Sequence, residues 1–167
     1  EEIMLQWHDG VTWDHRAYWG QNRINFGVDG TPSRRYMGPL PKASQWVRLE
    51  VPASLVGLEG STVSGMAFTL DGGRATWDLA GKTTQNAPPP PTTQPGDFVW
   101  VEDSIPAGAV PGAQHDHWEW VSSSPSPFSG NLSHRSFLTN GTGTGLFRYH
   151  SFTAAPTPMQ VNPGDVG

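Results

Sequence analysis

Aromatic rings alternate with acidic side chains over residues 7–22. The rings are Trp7, Trp13, Tyr18 and Trp19, and the acidic residues between them are Asp9 and Asp14. A Trp or Tyr ring has a flat apolar face that can stack on a pyranose, while nearby carboxylates can hydrogen-bond the sugar hydroxyls. The segment therefore predicts a carbohydrate-binding platform. The alternative is that the tryptophans are large apolar residues of a protein core.

A metal-binding interpretation applies to one histidine pair. His115-Asp116-His117 places two imidazoles on the same side of an extended segment, where they could bind zinc or nickel with a third ligand. No HExxH or similar spacing accompanies the pair, so ordinary loop polarity is the alternative.

The sequence gives little support for catalysis, for nucleic-acid binding or for a membrane span. The chain has no GxSxG motif, no cysteine and no phosphate-binding loop, and we therefore predict a protein that is not an enzyme. Its net charge of −5, with Arg34-Arg35 as the densest basic pair, argues against nucleic acid as a partner. No apolar stretch approaches the ~20 residues that a membrane span needs.

The elements that must position these residues are predicted to be strands. The 167 residues include 20 glycines and 16 prolines but few lysines, which disfavours long helices. Alternation predicts strands at 3–7, 13–19, 23–28, 46–51, 63–70, 74–79, 98–101, 118–121, 133–139 and 146–152. We expect an all-β, antiparallel, two-sheet β-sandwich. Its predicted core contains Val47, Leu49, Val51, Met66, Phe68 and Leu70.

The chain divides into two strand-rich blocks. Residues 1–82 form the first block and residues 98–167 the second. Residues 83–97 between them include four consecutive prolines at 88–91, and this composition predicts an extended, semi-rigid linker.

The motifs of both blocks resemble one family. The run from Ile3 to Lys82 (IMLQWHDG…QWVRLEVPASLVGLEG…VSGMAFTLDGGRATWDLAGK) is similar to the second half of a β-sandwich domain of large bacterial surface proteins, including rearrangement-hotspot (YD-repeat) proteins. The run from Val99 to Asp165 (VWVEDSIPAGA…WEWVSSSPSPFSGNLSHRS) resembles the first half, so the order of the halves is swapped. The resemblance implies an extracellular, cell-surface, non-catalytic module with a jelly-roll-like fold.

The resemblance also suggests calcium. Glu102 and Asp103 follow the first strand in the family's order and Asp78 lies in the last strand, and in jelly-roll modules these strands lie side by side. Carboxylate oxygens suit calcium, which is the cofactor that the chain suggests. The alternative is that these residues cap turns or provide ordinary surface charge.

Two functions follow as expectations. The family has a strand of about a dozen residues, a usual strand-plus-turn length, between the two runs, and this strand is absent here. We expect another copy of the chain to supply it, pairing at the edges of Ile3, Leu5, Trp7 and Val161 and building a head-to-tail filament of tandem repeats. The alternative source of this strand is an unseen part of the same chain. The alternative is a carbohydrate-binding module of an adhesin or secreted enzyme, with polysaccharide as its partner.

Overall fold

Strands account for nearly all the regular secondary structure. A computed structural model describes residues 1–84, 97–137 and 147–167. The predicted all-β class is confirmed. The jelly-roll order of strand connections stays a prediction. A single 3₁₀ turn, Ala53–Val56, is the helical element of these residues. The strands are β1 (Glu2–His8), β2 (His15–Gly20), β3 (Arg35–Gly38), β4 (Thr62–Val63), β5 (Gly65–Asp71), β6 (Arg74–Trp77), β7 (Ala80–Lys82), β8 (Phe98–Val101), β9 (Val110–Gln114), β10 (Trp120–Val121), β11 (Ser133–Phe137), β12 (Phe147–Thr153) and β13 (Met159–Gln160).

The largest sheet joins the two sequence blocks. Its order is β3-β2-β1-β5-β12-β9. β5 from the first block pairs antiparallel with β12 from the second, with Phe68 opposite His150. One pair departs from the antiparallel prediction, because β2 and β3 run parallel. The blocks therefore share one continuous sheet.

Smaller sheets cover one face of the large sheet. They are β10-β11-β6, β13-β4 and β7-β8. Side chains alternate along a strand, so Ile3, Leu5 and Trp7 all face the core between these layers. Phe68 from β5 meets Trp77 from β6 there, with ring centroids 5.4 Å apart. The opposite face of the large sheet, which we call the outer face, carries a small cluster of Met4, Tyr18 and Ile24.

Two of the predicted strands are not formed. Residues 46–51 and 23–28 are irregular, although both alternate in sequence. Val47 is 42% exposed, whereas Val51 is buried in the core and its amide and carbonyl bond to Gly167. Alternation does not itself provide a partner strand, and 46–50 lies beside none in the described part of the chain. The other predicted core residues, Met66, Phe68 and Leu70, are buried, and Leu49 packs against them.

The predicted strand-exchange edges are wrong. Ile3, Leu5 and Trp7 lie on β1, which pairs along its whole length with β2 on one side and β5 on the other. The amide of Val161 donates to the Ser61 carbonyl, and its carbonyl accepts from the Gly60 amide. The chain therefore satisfies these backbone groups itself.

The predicted linker lies mainly outside the described residues, which stop at Thr84 and resume at Asp97. Thr83, at its start, pairs with Val166 near the end of the chain. Across the described ranges, no helix has the length and apolar character of a membrane span.

Candidate functional site: a groove on the outer face

A row of aligned side chains crosses the outer face of the large sheet. Arg16 lies opposite Gln6, Gln6 opposite Ala67, Ala67 opposite Ser151, and Ser151 opposite Gly112. The row crosses β2, β1, β5, β12 and β9, and at ~4.8 Å between neighbouring strands it is about 19 Å long. Three consecutive members, Ala67, Ser151 and Gly112, are small. The row therefore forms the floor of a transverse groove.

Larger residues form the walls of the groove. Trp13, Phe26 and Tyr149 supply aromatic rings, and Val110 and Thr153 flank the row beside Gly112 and Ser151. The groove is open to solvent and has a volume of about 330 Å³. This volume lies in the ~300–1,000 Å³ range of small-ligand sites. Aromatic walls above a polar floor suit a ligand with both apolar faces and hydroxyl groups.

Local packing holds two of the wall rings in place. The Trp13 ring meets the His8 imidazole edge-on at 4.9 Å, and the Phe26 ring meets that of Phe147 at 4.5 Å. The loop that carries Phe26 is held by Arg34, which donates from Nη1 to the Phe26 carbonyl at 3.1 Å. Arg34 is itself paired with buried Glu2. Both rings therefore have defined positions before any ligand arrives.

Hydroxyl groups on β12 are available to a ligand. Tyr149, Ser151 and Thr153 are two residues apart, so all three face the groove. Within the described chain, no hydrogen bond engages their hydroxyl oxygens. A side chain at Gly112 would approach Ser151 Oγ to 3.0 Å, so glycine keeps this part of the floor open. These hydroxyls can donate to or accept from the hydroxyls of a sugar.

The structure separates the residues predicted to form the platform. Trp7 and Trp19 are buried in the core between the sheets, so their faces cannot bind a sugar and this part of the prediction is wrong. Tyr18 is also buried, and burial together with its hydrogen bond to Asp29 raises its pKa to about 12. Of the four predicted rings, Trp13 is the one that lines the groove.

The two predicted carboxylates have local partners. Asp9 accepts from the amides of Val11 and Thr12 and so closes the turn after β1, and the Thr12 amide is the main reason that its pKa is lowered. Asp14 pairs with Arg16 at 2.9 Å and is 62% exposed. Asp14 therefore does not line the groove itself, and its link to the groove is the ion pair with Arg16.

Several groove residues were not predicted from the sequence. Tyr149, Phe26, Arg16 and Gln6 all line the groove. The period-two pattern of β12 places Tyr149 and Ser151 on one face, but the sequence does not indicate which strand lies beside them. The register of four strand pairs is needed to bring Arg16 into the same row.

The predicted histidine metal site does not form. His115 and His117 are exposed, whereas Asp116 between them turns inward and accepts from Ser136 Oγ at 2.7 Å. Asp116 also bonds to His150 Nδ1 at 2.9 Å. Nowhere in the described ranges do three or more His, Asp or Glu residues form a group that could hold a metal ion.

The three carboxylates of the calcium prediction lie near one another. Asp78 Oδ2 accepts from the Phe128 amide, and Asp103 Oδ1 accepts from the amides of Asn131 and Leu132. Burial raises the pKa of Asp78, and the nearby charges of Glu102 and Asp103 raise it further. Asp78 and Asp103 anchor the loop at 128–132. Together with Glu102 they do not form a group that could hold a metal ion in the described part of the chain, so the structure does not support the calcium prediction at these positions.

The fold and the groove define the class of the chain: an all-β protein with a groove on one face of its large sheet. No protein-family model, curated protein or solved structure matches the chain. The resemblance to the bacterial surface domain therefore stays a prediction.

Proposed function

We propose that the chain is a non-catalytic, extracellular carbohydrate-binding module that binds polysaccharide in the outer-face groove. The observation that carries the proposal is the transverse floor with Trp13 and Tyr149 above it. Aromatic rings stack on the apolar face of a pyranose, and the Tyr149, Ser151 and Thr153 hydroxyls can bond to the polar rim. A groove about 19 Å long suits a chain of sugars better than a single one.

The pairing of β1 favours this function over assembly through a donated strand. Both neighbours of β1 come from its own chain. The groove, by contrast, is a concave surface with a partly exposed tryptophan and unengaged hydroxyls. Concave sites with a few convergent polar groups are the usual places where ligands bind.

Replacing Trp13 or Tyr149 by Ala is expected to weaken polysaccharide binding about tenfold, which corresponds to ~1.4 kcal/mol. Each ring supplies apolar area and stacking that a methyl group cannot replace. Affinity electrophoresis against xylan, β-glucan, galactan and polygalacturonate gels measures the change for each polymer. Both variants should keep the melting temperature within a few degrees of the parent, because both rings are only partly buried.

Tyr36→Ala is the matched control. Tyr36 is 51% exposed on β3 and is not part of the groove. In each polysaccharide gel, the retardation of the Tyr36→Ala variant should equal that of the parent chain. If the parent migrates unretarded through every gel, the proposed function is wrong.

Assembly of copies is the second candidate, now through a different edge. β9 pairs with β12 on one side, its five residues are all exposed, and no described strand pairs with its other side. An exposed edge of this kind can pair with a strand of another copy, although Pro111 removes one donor. Sedimentation velocity over a hundredfold concentration range should then show growing species, which Val110→Lys should reduce. A single unchanging species would end this candidate.

A further inference from the structure

Arg16 is the one charged residue among those that line the groove, and none of the described lining residues is acidic. This contrasts with the chain as a whole, whose net charge is −5. Arg16 is 8% exposed, so its guanidinium is held at the groove rather than moving freely in solvent. The groove thus has one cationic side chain and no acidic one in its lining, and the nearest carboxylate is that of Asp14, which pairs with Arg16 from outside the groove.

The hydrogen bonds of Arg16 leave part of its guanidinium available. Nε donates to Gln6 Oε1 at 2.8 Å, and Nη1 donates to Asp14 Oδ1 at 2.9 Å and to the Ser33 carbonyl at 3.0 Å. Gln6 is fixed in turn by Thr69, to which its amide donates at 2.7 Å. Nη2 has no hydrogen-bond partner among the described residues. It is also not one of the polar atoms that are fully buried without a partner. Two N–H donors therefore remain for a ligand.

We propose that the groove binds an acidic polysaccharide, with the carboxylate of a uronic acid residue accepting from Arg16. This inference rests on the proposed function and names its substrate class. A guanidinium held in place by three other bonds loses little side-chain entropy when it binds a carboxylate. Hydrogen bonds between charged groups are also stronger than neutral ones.

Asp14 competes for the same guanidinium. Its side chain is 62% exposed, so the pair is largely solvated and its attraction for Arg16 is modest. A sugar carboxylate in the groove approaches Arg16 from the sheet face, where water is partly excluded. Removal of the Asp14 charge should therefore favour the ligand while leaving the fold unchanged.

The test compares polygalacturonate with its fully methyl-esterified form, which has the same ring and linkage but no charge. Isothermal titration calorimetry of the full chain is expected to show about tenfold tighter binding of the acid form. That preference should shrink as salt is raised from 50 to 500 mM. Asp14→Asn should tighten binding of the acid form about two- to fivefold. Arg16→Gln should abolish the preference and bind both polymers equally.

Controls keep the outcomes distinct. Arg48→Gln removes a positive charge that lies outside the groove and should bind like the parent. If the parent binds both polymers equally, or if Asp14→Asn has no effect on the acid form, the inference is overturned while the proposed function stands. Binding of dextran sulfate but not of polygalacturonate also overturns the uronate assignment. Failure to bind these polymers or any neutral polysaccharide contradicts the proposed function itself.

Discussion

Replacing Arg34 by Met is expected to lower the free energy of unfolding by about 3–5 kcal/mol, because it leaves the Glu2 carboxylate buried without its cation. Arg34 is 2% exposed and Glu2 is fully buried, and Nη2 of Arg34 lies 2.8 Å from Glu2 Oε1. Burial raises the pKa of Glu2, although backbone amides and Arg34 oppose the rise. The measurement is urea unfolding followed by tryptophan fluorescence.

The partners of Arg34 explain why the effect should extend to the groove. Arg34 holds the Phe26 carbonyl and lies 4.5 Å from the Tyr18 ring centre, so it fastens the loop at 23–34 to the outer face. We expect Arg34→Met to lose groove binding as well as stability. The double variant Glu2→Gln with Arg34→Met should recover part of the stability, because the buried charge is then gone.

Arg48→Met supplies the comparison for a solvated pair. Arg48 lies 3.1 Å from Glu50, and both side chains are more than one-third exposed. Such pairs contribute ~1 kcal/mol or less, so this variant should unfold close to the parent. An Arg34→Met chain that unfolds at the same urea concentration as Arg48→Met would contradict the argument.

Local patterns in the sequence gave the strand class but not the partners of each strand. The alternation of Ile3, Leu5 and Trp7 places them correctly on one face of β1. The same alternation at 46–51 predicts a strand that is absent, because alternation records which side chains share a face and not whether a neighbour supplies hydrogen bonds. The position of β1 between β2 and β5 depends on pairing between residues that are 57 to 69 positions apart, from His8↔Gly65 to Glu2↔Asp71, which no local pattern records.

The sequence predicted only part of the site, because local patterns do not show which strands are neighbours. Trp13 was among the expected rings, whereas Trp7 and Trp19 point into the core because their positions on β1 and β2 face inward. Composition cannot separate a tryptophan that packs in a core from one that binds a ligand. The sequence does not show that Arg16, Ala67 and Ser151 share a row, since they belong to three strands that are far apart in the chain.

A hydrogen-bonded network of buried polar residues joins the two layers of the fold. His150 on β12 of the large sheet bonds through Nε2 to Nδ1 of His134 on β11, at 2.7 Å. His150 Nδ1 bonds to Asp116, and the carboxylate can only accept, so His150 donates there. When His150 is neutral, its Nε2 accepts from His134 Nδ1–H. This leaves His134 Nε2 as a buried lone pair without a partner.

This arrangement holds His134 neutral. Burial lowers the pKa of His134 well below its usual value, and the neighbouring His150 lowers it further. A proton on His134 Nε2 would create a buried donor among the rings of Phe68, Trp118 and Trp120. In the unfolded chain the same imidazole titrates near its ordinary pKa of about 6.5.

Acidification below pH 6.5 is therefore expected to destabilise the fold. The unfolded state then binds a proton that the folded state cannot, so stability falls as pH falls through this range and is fully present above it. One such group contributes up to ~1.4 kcal/mol per pH unit.

His134→Asn keeps a donor for His150 but cannot titrate, so its stability should fall less steeply between pH 7.5 and 5. His117→Gln, which removes a histidine that is 63% exposed, is the matched control for the loss of a histidine side chain. Urea unfolding at half-unit pH steps measures all three slopes, and equal slopes for the parent and His134→Asn would show that His134 is not the titrating group.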